Sequence, residues 1–167
     1  MSYRNKTYVI FDGDEDMYAY AYMKGWKANE KIDFDFHDAH DINALRDGSN
    51  EETVKRKLRE RLTNTAQAIV LIGASTKNLF RYVRWELETC LEMGIPIIAV
   101  NLNGKRTMDD ALCPPIIKNK CVVHVPFRMK IMKYAMDEFV DNFSTYAGRN
   151  LIDCYYPDDV YKNLGLV

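Results

Sequence analysis

The sequence lacks any long hydrophobic run: no apolar stretch approaches the roughly 20 residues that a membrane-spanning helix requires. Its first residues, MSYRNKTYVIF, also lack the apolar segment of a secretory signal peptide. Neither charge is in excess, because 23 Lys and Arg stand against 24 Asp and Glu. That balance argues against a protein built to coat nucleic acid or an anionic membrane. We therefore expect a soluble cytoplasmic protein with no nucleic acid or membrane as its partner.

Motifs for metals, disulfides and phosphates are absent as well. No two of the four cysteines are spaced C-x-x-C, and no Cys/His cluster has the spacing of a zinc site. The sequence contains neither a P-loop nor a G-x-G-x-x-G fingerprint. These absences predict reduced thiols, no bound metal and no phosphate-cradling glycine loop.

What the sequence does contain is a regular alternation of short apolar runs with amphipathic segments. Strands are predicted at 7–11, 32–38, 66–73, 95–102 and 121–127. Helices are predicted at 15–27, at 78–93 and at 128–146, and a further helix is predicted to begin after Ser49 or Asn50, either of which can cap it. The alternation predicts an α/β fold of three layers around a mostly parallel five-stranded sheet, in the flavodoxin-like order 2-1-3-4-5. The length suits one domain over 1–167, with a core of about 7–147 and a tail, 148–167, packed on it.

Such sheets bind their ligands at the carboxyl ends of the strands, beside the switch in strand order. Here that place is formed by the turns after the first and third strands, residues 11–16 and 73–78. The first turn is acidic, and the second supplies small hydroxyl and amide groups. We expect these two turns to line a pocket.

Glu86 lies in the helix that follows the second of these turns, at the edge of its predicted apolar stripe. Tyr82 lies one turn earlier on the same side. A partly buried carboxylate beside an aromatic ring can have a raised pKa and can hold sugar hydroxyls. The alternative is a boundary charge paired with Arg81, Arg84 or a backbone group, and helix geometry alone favours that alternative.

The run AIVLIGAST…RYVRWELETCLEMGIPIIAV resembles the TIR-like domains of bacteria. In that family an apolar strand ends in glycine, a Ser/Thr loop follows, and a helix carries an aromatic residue four positions before a glutamate. Those two positions are Tyr82 and Glu86 here, and YVIFDGDED is similar to the first TIR strand with its loop. The resemblance covers residues 7 to about 101 and is strongest to the TIR proteins of the Thoeris anti-phage defence system.

The resemblance implies an enzyme that uses NAD as a substrate and not as a cofactor. Such an NAD nucleosidase and ADP-ribosyl cyclase breaks the nicotinamide–ribose bond and closes the product into a cyclic ADP-ribose isomer. That diffusible product then activates a separate effector protein, and self-association is a further expected interaction. By the same resemblance Glu86 is the catalytic residue, and the substrate-binding residues are Phe11, Asp12, Ser75, Tyr82 and Trp85.

The sequence departs from the family pattern at two places. Tyr82 occupies the position where a tryptophan is usual, while Trp85 directly precedes the glutamate. The usual serine ahead of the aromatic residue is also missing. Glu86 itself is retained.

Two other functions fit parts of the sequence. A non-catalytic TIR adaptor would act by self-association and would tolerate a change at Glu86. A receiver-like domain would bind a divalent ion at Asp12 and Asp14, but it also needs a phosphate-accepting Asp after the third strand. Gly73-Ala74-Ser75 stands there instead, so we disfavour that function.

Three further patterns receive structural interpretations. HDAHD (37–41) is expected to be a mobile loop, with substrate gating or self-association as its role, rather than a metal site. His124 is expected to be a core histidine with satisfied nitrogens. Tyr18 and Tyr22 share a helix face and are expected to pack, and KRKLRER (55–61) is expected to be the solvated side of a helix rather than a nucleic-acid site.

Overall fold

The computed structural model describes residues 6–31, 34, 37–38, 50–79 and 81–166. The strands are β1 (Lys6–Ile10), β2 (His37–Asp38), β3 (Gln67–Ile72), β4 (Ile97–Asn101) and β5 (Val123–Pro126). The α-helices are α1 (Met17–Ala28), α2 (Glu51–Leu62), α3 (Tyr82–Glu92), α4 (Met129–Gly148) and α5 (Asp158–Asn163). Short 3₁₀ turns occur at Thr76–Asn78 and Pro115–Ile117.

The strands form a sheet of order β2-β1-β3-β4-β5 in which each described pairing is parallel. The predicted α/β class with a parallel sheet is confirmed. The second strand was predicted over 32–38, but only its last two residues are described as paired, Lys6 with His37 and Thr7 with Asp38. Four strands of four to six residues therefore make up most of the sheet.

Helices cover both faces of this sheet. β3 and β4 are buried along their whole length, which is why their sequences, QAIVLI and IIAVN, are almost continuously apolar. Along β1 the pleat sends Tyr8 and Ile10 into the core beneath α2 and α3, and sends Val9 into the core beneath α1 and α4. The result is three layers around two hydrophobic cores.

Helix α2 begins at one of the two predicted capping residues. The Asn50 side chain accepts a hydrogen bond from the Thr53 backbone N–H at 2.8 Å, which satisfies an amide that the first turn leaves unpaired. Its predicted apolar stripe, Val54, Leu58 and Leu62, is fully buried. No helix of the described ranges is long and apolar enough to cross a membrane.

Helix α3 differs from its prediction, because it starts at Tyr82 rather than at residue 78. Leu79 lies before the helix, in the segment after a 3₁₀ turn, so it cannot anchor a helical stripe. The buried face instead includes Val83, Glu86, Leu87 and Cys90. Glu86 therefore lies inside the packed face and not at its edge.

The carboxyl-terminal segment contacts the layer of α1 and α4. Tyr161 of α5 is fully buried in that core, and Val123 of β5 forms an isolated parallel bridge with Cys154. Helix α4 buries Ile131 and Phe139 as expected, while Phe143 is only half-buried.

His124 is buried, but the expectation that its nitrogens are satisfied is wrong. Within the described residues neither ring nitrogen has a hydrogen-bond partner. The Asp153 carboxylate lies 3.9 Å from Nε2, and burial lowers the His124 pKa to about 4 despite that neighbour. The ring is therefore neutral at physiological pH.

The expectation that Tyr18 and Tyr22 pack is also wrong, because they are 55% and 60% exposed. Helix α1 turns Ala19, Tyr20 and Met23 to the core, which leaves these two rings on its outer face. The prediction for HDAHD lies almost wholly outside the described residues, which include only the backbone of its first two positions.

Along α2 the predicted solvated side carries ion pairs. Lys55 pairs with Glu51 at 3.1 Å and with Glu88 of α3 at 3.0 Å, and Arg59 pairs with Glu92 at 3.3 Å. The pairs with Glu88 and Glu92 join the two helices on the outer surface.

Candidate functional site

The turns after β1 and β3 meet, because these strands are neighbours in the sheet and run in the same direction. The Ser75 hydroxyl donates a hydrogen bond to Asp12 Oδ2 at 2.6 Å. Two of the residues predicted to bind substrate are thus in direct contact across the strand-order switch.

Asp12 is almost completely buried and accepts three hydrogen bonds. Its Oδ1 accepts from the backbone N–H groups of Asp14, at 2.9 Å, and Glu15, at 3.3 Å. Burial raises the Asp12 pKa, but the bonds from Ser75 and from these amides outweigh burial, and the pKa lies below its ordinary value. Asp12 is therefore ionised and fixed in place.

Gly73 allows the two turns to approach this closely. A Cβ at this position would lie 2.4 Å from Asp16 Oδ2, so a larger residue would displace that carboxylate. The Thr76 hydroxyl oxygen accepts a hydrogen bond from the Gly73 N–H at 2.9 Å and lies 3.4 Å from Asp16 Oδ2. Burial and the neighbouring Asp12 charge raise the pKa of Asp16.

Glu86 is only 5% exposed. Burial raises its pKa from 4.5 to about 8, although a hydrogen bond from the Tyr8 hydroxyl and the positive charge of Arg61 both lower it. Its Oε2 atom has no hydrogen-bond partner within the described part of the chain. A buried carboxyl oxygen left unpaired is costly, and such groups concentrate at functional sites.

A cavity of about 460 Å³ separates the turn after β1 from the start of α3. Its lining comes from that turn and from the segment that leads into and includes the first turns of α3: Phe11, Asp12, Gly13, Asp14, Asn78, Leu79, Arg81, Tyr82, Val83 and Glu86. The structure thus brings four of the six predicted site residues to one cavity. Its volume is in the range of small-molecule sites.

Ser75 and Trp85, the other two predicted site residues, do not line this cavity. Ser75 instead contacts Asp12 through its hydroxyl. Trp85 is half-buried against the core beneath α2 and α3, and its ring centroid lies 5.7 Å from the Tyr82 ring centroid, with the two planes nearly perpendicular. The Arg81 guanidinium lies 5.7 Å from the centroids of both rings. Ser75 and Trp85 therefore contact residues that line the cavity, Asp12 and Tyr82 respectively.

Asn78 belongs to the 73–78 turn that was expected to line a pocket, and it does line this cavity. Sequence reasoning missed Tyr8 and Arg81. The position of Tyr8 could have been predicted, because strand alternation places it on the face of the sheet that α3 covers. The position of Arg81 depends on the non-helical segment before α3, and no periodic pattern in the sequence marks that segment.

The comparison with known families finds one match that spans this site. Residues 8–107 match the family described as the Thoeris protein ThsB, TIR-like domain. The matched range includes the loop after β1, the Gly73 turn and all of α3, so it contains the whole lining of the cavity. The resemblance to TIR-like domains is confirmed, and with it a role in anti-phage defence. The chain belongs to the TIR-like domain family of the Thoeris protein ThsB.

Proposed function

We propose that the chain breaks the nicotinamide–ribose bond of NAD and closes the product into a cyclic ADP-ribose isomer, which activates a separate effector. The observation that carries this proposal is the buried Glu86 carboxyl, whose unpartnered oxygen belongs to a residue lining a cavity at the carboxyl end of β1. Family membership supports the same choice.

The first step needs negative charge beside the ribose. The bond between ribose C1′ and the nicotinamide nitrogen breaks, its electron pair goes to nicotinamide, and nicotinamide leaves as a neutral molecule. Positive charge then develops on the ribose ring. Ionised Glu86 stabilises that charge and accepts hydrogen bonds from ribose hydroxyls, as carboxylates do in glycoside cleavage. Because the nicotinamide ring of NAD is already cationic, no acid has to protonate it.

The second step closes the ring. A nucleophilic atom of the same ADP-ribose forms a bond to C1′ and releases one proton, so NAD⁺ gives the cyclic product, nicotinamide and H⁺. Water must be kept from C1′ for this outcome. We assign that role to the aromatic lining residues Phe11 and Tyr82, with Trp85 holding the Tyr82 ring.

The raised pKa of Glu86 couples substrate binding to proton release. With a pKa of about 8, most of the carboxyl carries a proton at neutral pH in the empty site. The cationic nicotinamide ring would favour the ionised form and lower that pKa. Binding of NAD therefore expels a proton and generates the charge that the reaction needs.

Tyr8 orients Glu86 for this task. The Tyr8 hydroxyl is buried and donates to the carboxyl, while Oε2 remains unpaired. In the proposed complex Tyr8 holds the carboxyl from the strand side, and the ribose hydroxyls donate to the carboxyl from the cavity. Arg81, in the same lining, supplies a positive charge for the diphosphate.

Mass spectrometry of small molecules from phage-challenged cells tests the proposal. Cells with the native chain should accumulate a cyclic ADP-ribose isomer, and cells with Glu86→Gln should not. The matched control is Glu88→Gln, which removes the same charge from a residue paired with Lys55 on the outside of α3. Defence without any such product in native cells would exclude the enzymatic function.

The adaptor function keeps one observation in its favour. Tyr18 and Tyr22 form an exposed aromatic pair on α1, which a self-associating adaptor would be able to use. An adaptor predicts the reverse pattern: Glu86→Gln retains defence, whereas replacing both tyrosines with Ser abolishes it.

A further inference from the structure

A second cavity, of about 300 Å³, lies beside Val123 at the amino end of β5, outside the range that matches the TIR-like family. Helix α4 and the segment after it form most of its lining, including Tyr134, Glu138, Tyr146 and Tyr156. It shares no lining residue with the candidate site. The proposed NAD chemistry gives it no role.

Glu138 is the one charged residue in the lining of this second cavity, as far as the described residues show. Its two oxygens accept hydrogen bonds from the Tyr146 hydroxyl and, at 2.6 Å, from the Tyr156 hydroxyl. Because both hydroxyl protons are directed at Glu138, the two hydroxyl oxygens can only accept from a guest. Each carboxylate oxygen also retains a lone pair.

Aromatic rings flank this carboxylate. The Tyr134 and Tyr156 centroids lie 5.0 Å apart and their planes meet at 81°, so the two rings form a corner. The hydrogen bond to Glu138 raises the Tyr146 pKa to about 12, which keeps that ring neutral. Neutral ring faces are negative and attract cations, more strongly for ions that are weakly hydrated.

We propose that this cavity binds a small organic ammonium ion. Charge complementarity selects the cation: the polar groups described above are a carboxylate and two accepting hydroxyls, and no Lys, Arg or His is among the lining residues described. An anion would meet repulsion from Glu138 and no compensating charge. The volume, at the lower end of the range for ligand sites, fits a compound of a few carbons around the nitrogen.

Choline and its neutral analogue 3,3-dimethyl-1-butanol are the probes, since they have nearly the same shape and differ in charge. The full-length chain, labelled with ¹⁵N, is titrated with each compound at constant ionic strength while amide shifts are followed by NMR. We expect choline to bind at least about tenfold more tightly, with the largest shifts around α4 and Tyr156. Equal binding of the two probes, or binding of neither, would overturn the proposal.

Variants localise the effect. Glu138→Gln keeps the shape and should remove the preference for choline, whereas Glu86→Gln, in the other cavity, should leave that preference unchanged. Where Glu138→Gln fails to fold, Tyr134→Leu removes one ring of the corner but neither hydroxyl bond to Glu138, and should weaken choline binding about fivefold. A preference for choline that is unchanged in these folded variants would place the binding elsewhere and refute the assignment.

Discussion

Glu86 and Glu138 both accept hydrogen bonds from tyrosine hydroxyls, yet their surroundings differ. Glu86 is buried beneath α3, receives one tyrosine hydroxyl, and has an oxygen with no partner in the described chain. Glu138 is half-buried on α4, and tyrosine hydroxyls occupy both of its oxygens. A single tyrosine does not compensate the lost hydration of Glu86, and its pKa rises to about 8.

The comparison separates two kinds of carboxyl environment. The raised pKa of Glu86 suits a group that ionises when a cation enters, as the proposed reaction requires. At Glu138 tyrosine hydroxyls donate to both oxygens, and this arrangement suits the proposed binding of a cation. The proposals thus assign a reactive carboxyl to α3 and a ligand-binding carboxyl to α4.

The largest expected effect is on the reaction itself. Replacing Glu86 by Gln keeps the size of the side chain but removes the charge that stabilises the ribose cation. We expect the formation of nicotinamide in extracts to fall by about 100-fold or more, whereas Glu138→Gln should leave it unchanged. A rate loss of similar size in both variants would show that the two regions are not separate.

The next effect is on stability and its dependence on pH. The Glu86 pKa is about 8 in the folded protein and near 4.5 in the unfolded chain, so between these values the folded protein holds a proton that the unfolded chain has released. The free energy of unfolding should therefore fall by about 1.4 kcal/mol per pH unit as the pH rises through this window.

Glu86→Gln should lack that contribution and become more stable than the native chain at pH 8. Urea unfolding at pH 5 and pH 8 measures the difference, with Glu88→Gln as the control. A native chain whose stability relative to Glu86→Gln does not change with pH would contradict the assignment of a raised pKa.

A smaller effect should follow from Tyr8→Phe. Loss of the donated hydrogen bond removes an interaction that favours the ionised form of Glu86, so its pKa should rise by about one unit. Activity at pH 7 would fall about tenfold and recover at high pH. The pH–rate profile checks this, and Tyr161→Phe is a matched control because that buried hydroxyl has no described partner. A uniform loss at every pH would mean that Tyr8 only supports the fold.

The smallest effect should be at Trp85. Because this ring contacts Tyr82 and does not line the cavity, Trp85→Phe should change KM by less than about threefold. Tyr82→Leu, which removes a lining ring, should raise KM by about tenfold. Steady-state kinetics with NAD distinguish the two, and a larger effect at Trp85 would restore it as a residue that touches substrate.

Local patterns predicted the strands and helices that form the frame of this fold. The strands β3 and β4 are recognisable as continuous apolar runs, because they are buried on both faces. Helix α2 is recognisable by the stripe Val54–Leu58–Leu62, because it is buried on one face. The start of α3 was placed too early, since Leu79 continues the apolar spacing although the chain is not helical there.

The candidate site was predicted only in part for a related reason. Phe11, Asp12, Tyr82 and Glu86 reach the cavity from segments that strand order brings together, and that order follows from general rules. The bond from Tyr8 to Glu86 joins residues far apart in the sequence, and the Trp85 side chain turns towards the core rather than the cavity. Such contacts depend on how each helix packs against the sheet. The spacing of residues within one segment does not determine that packing.

The most direct test of the central claim is the titration of Glu86 itself. Carbon-13 NMR of glutamate side-chain carboxyls, assigned by comparison with Glu86→Gln, reports the protonation of this group with and without NAD. We predict a midpoint near pH 8 in the empty protein and a lower midpoint when NAD is present. A midpoint near 4.5 in the empty protein, or one that NAD does not move, would contradict the claim that Glu86 is a buried proton-holding group that faces the substrate.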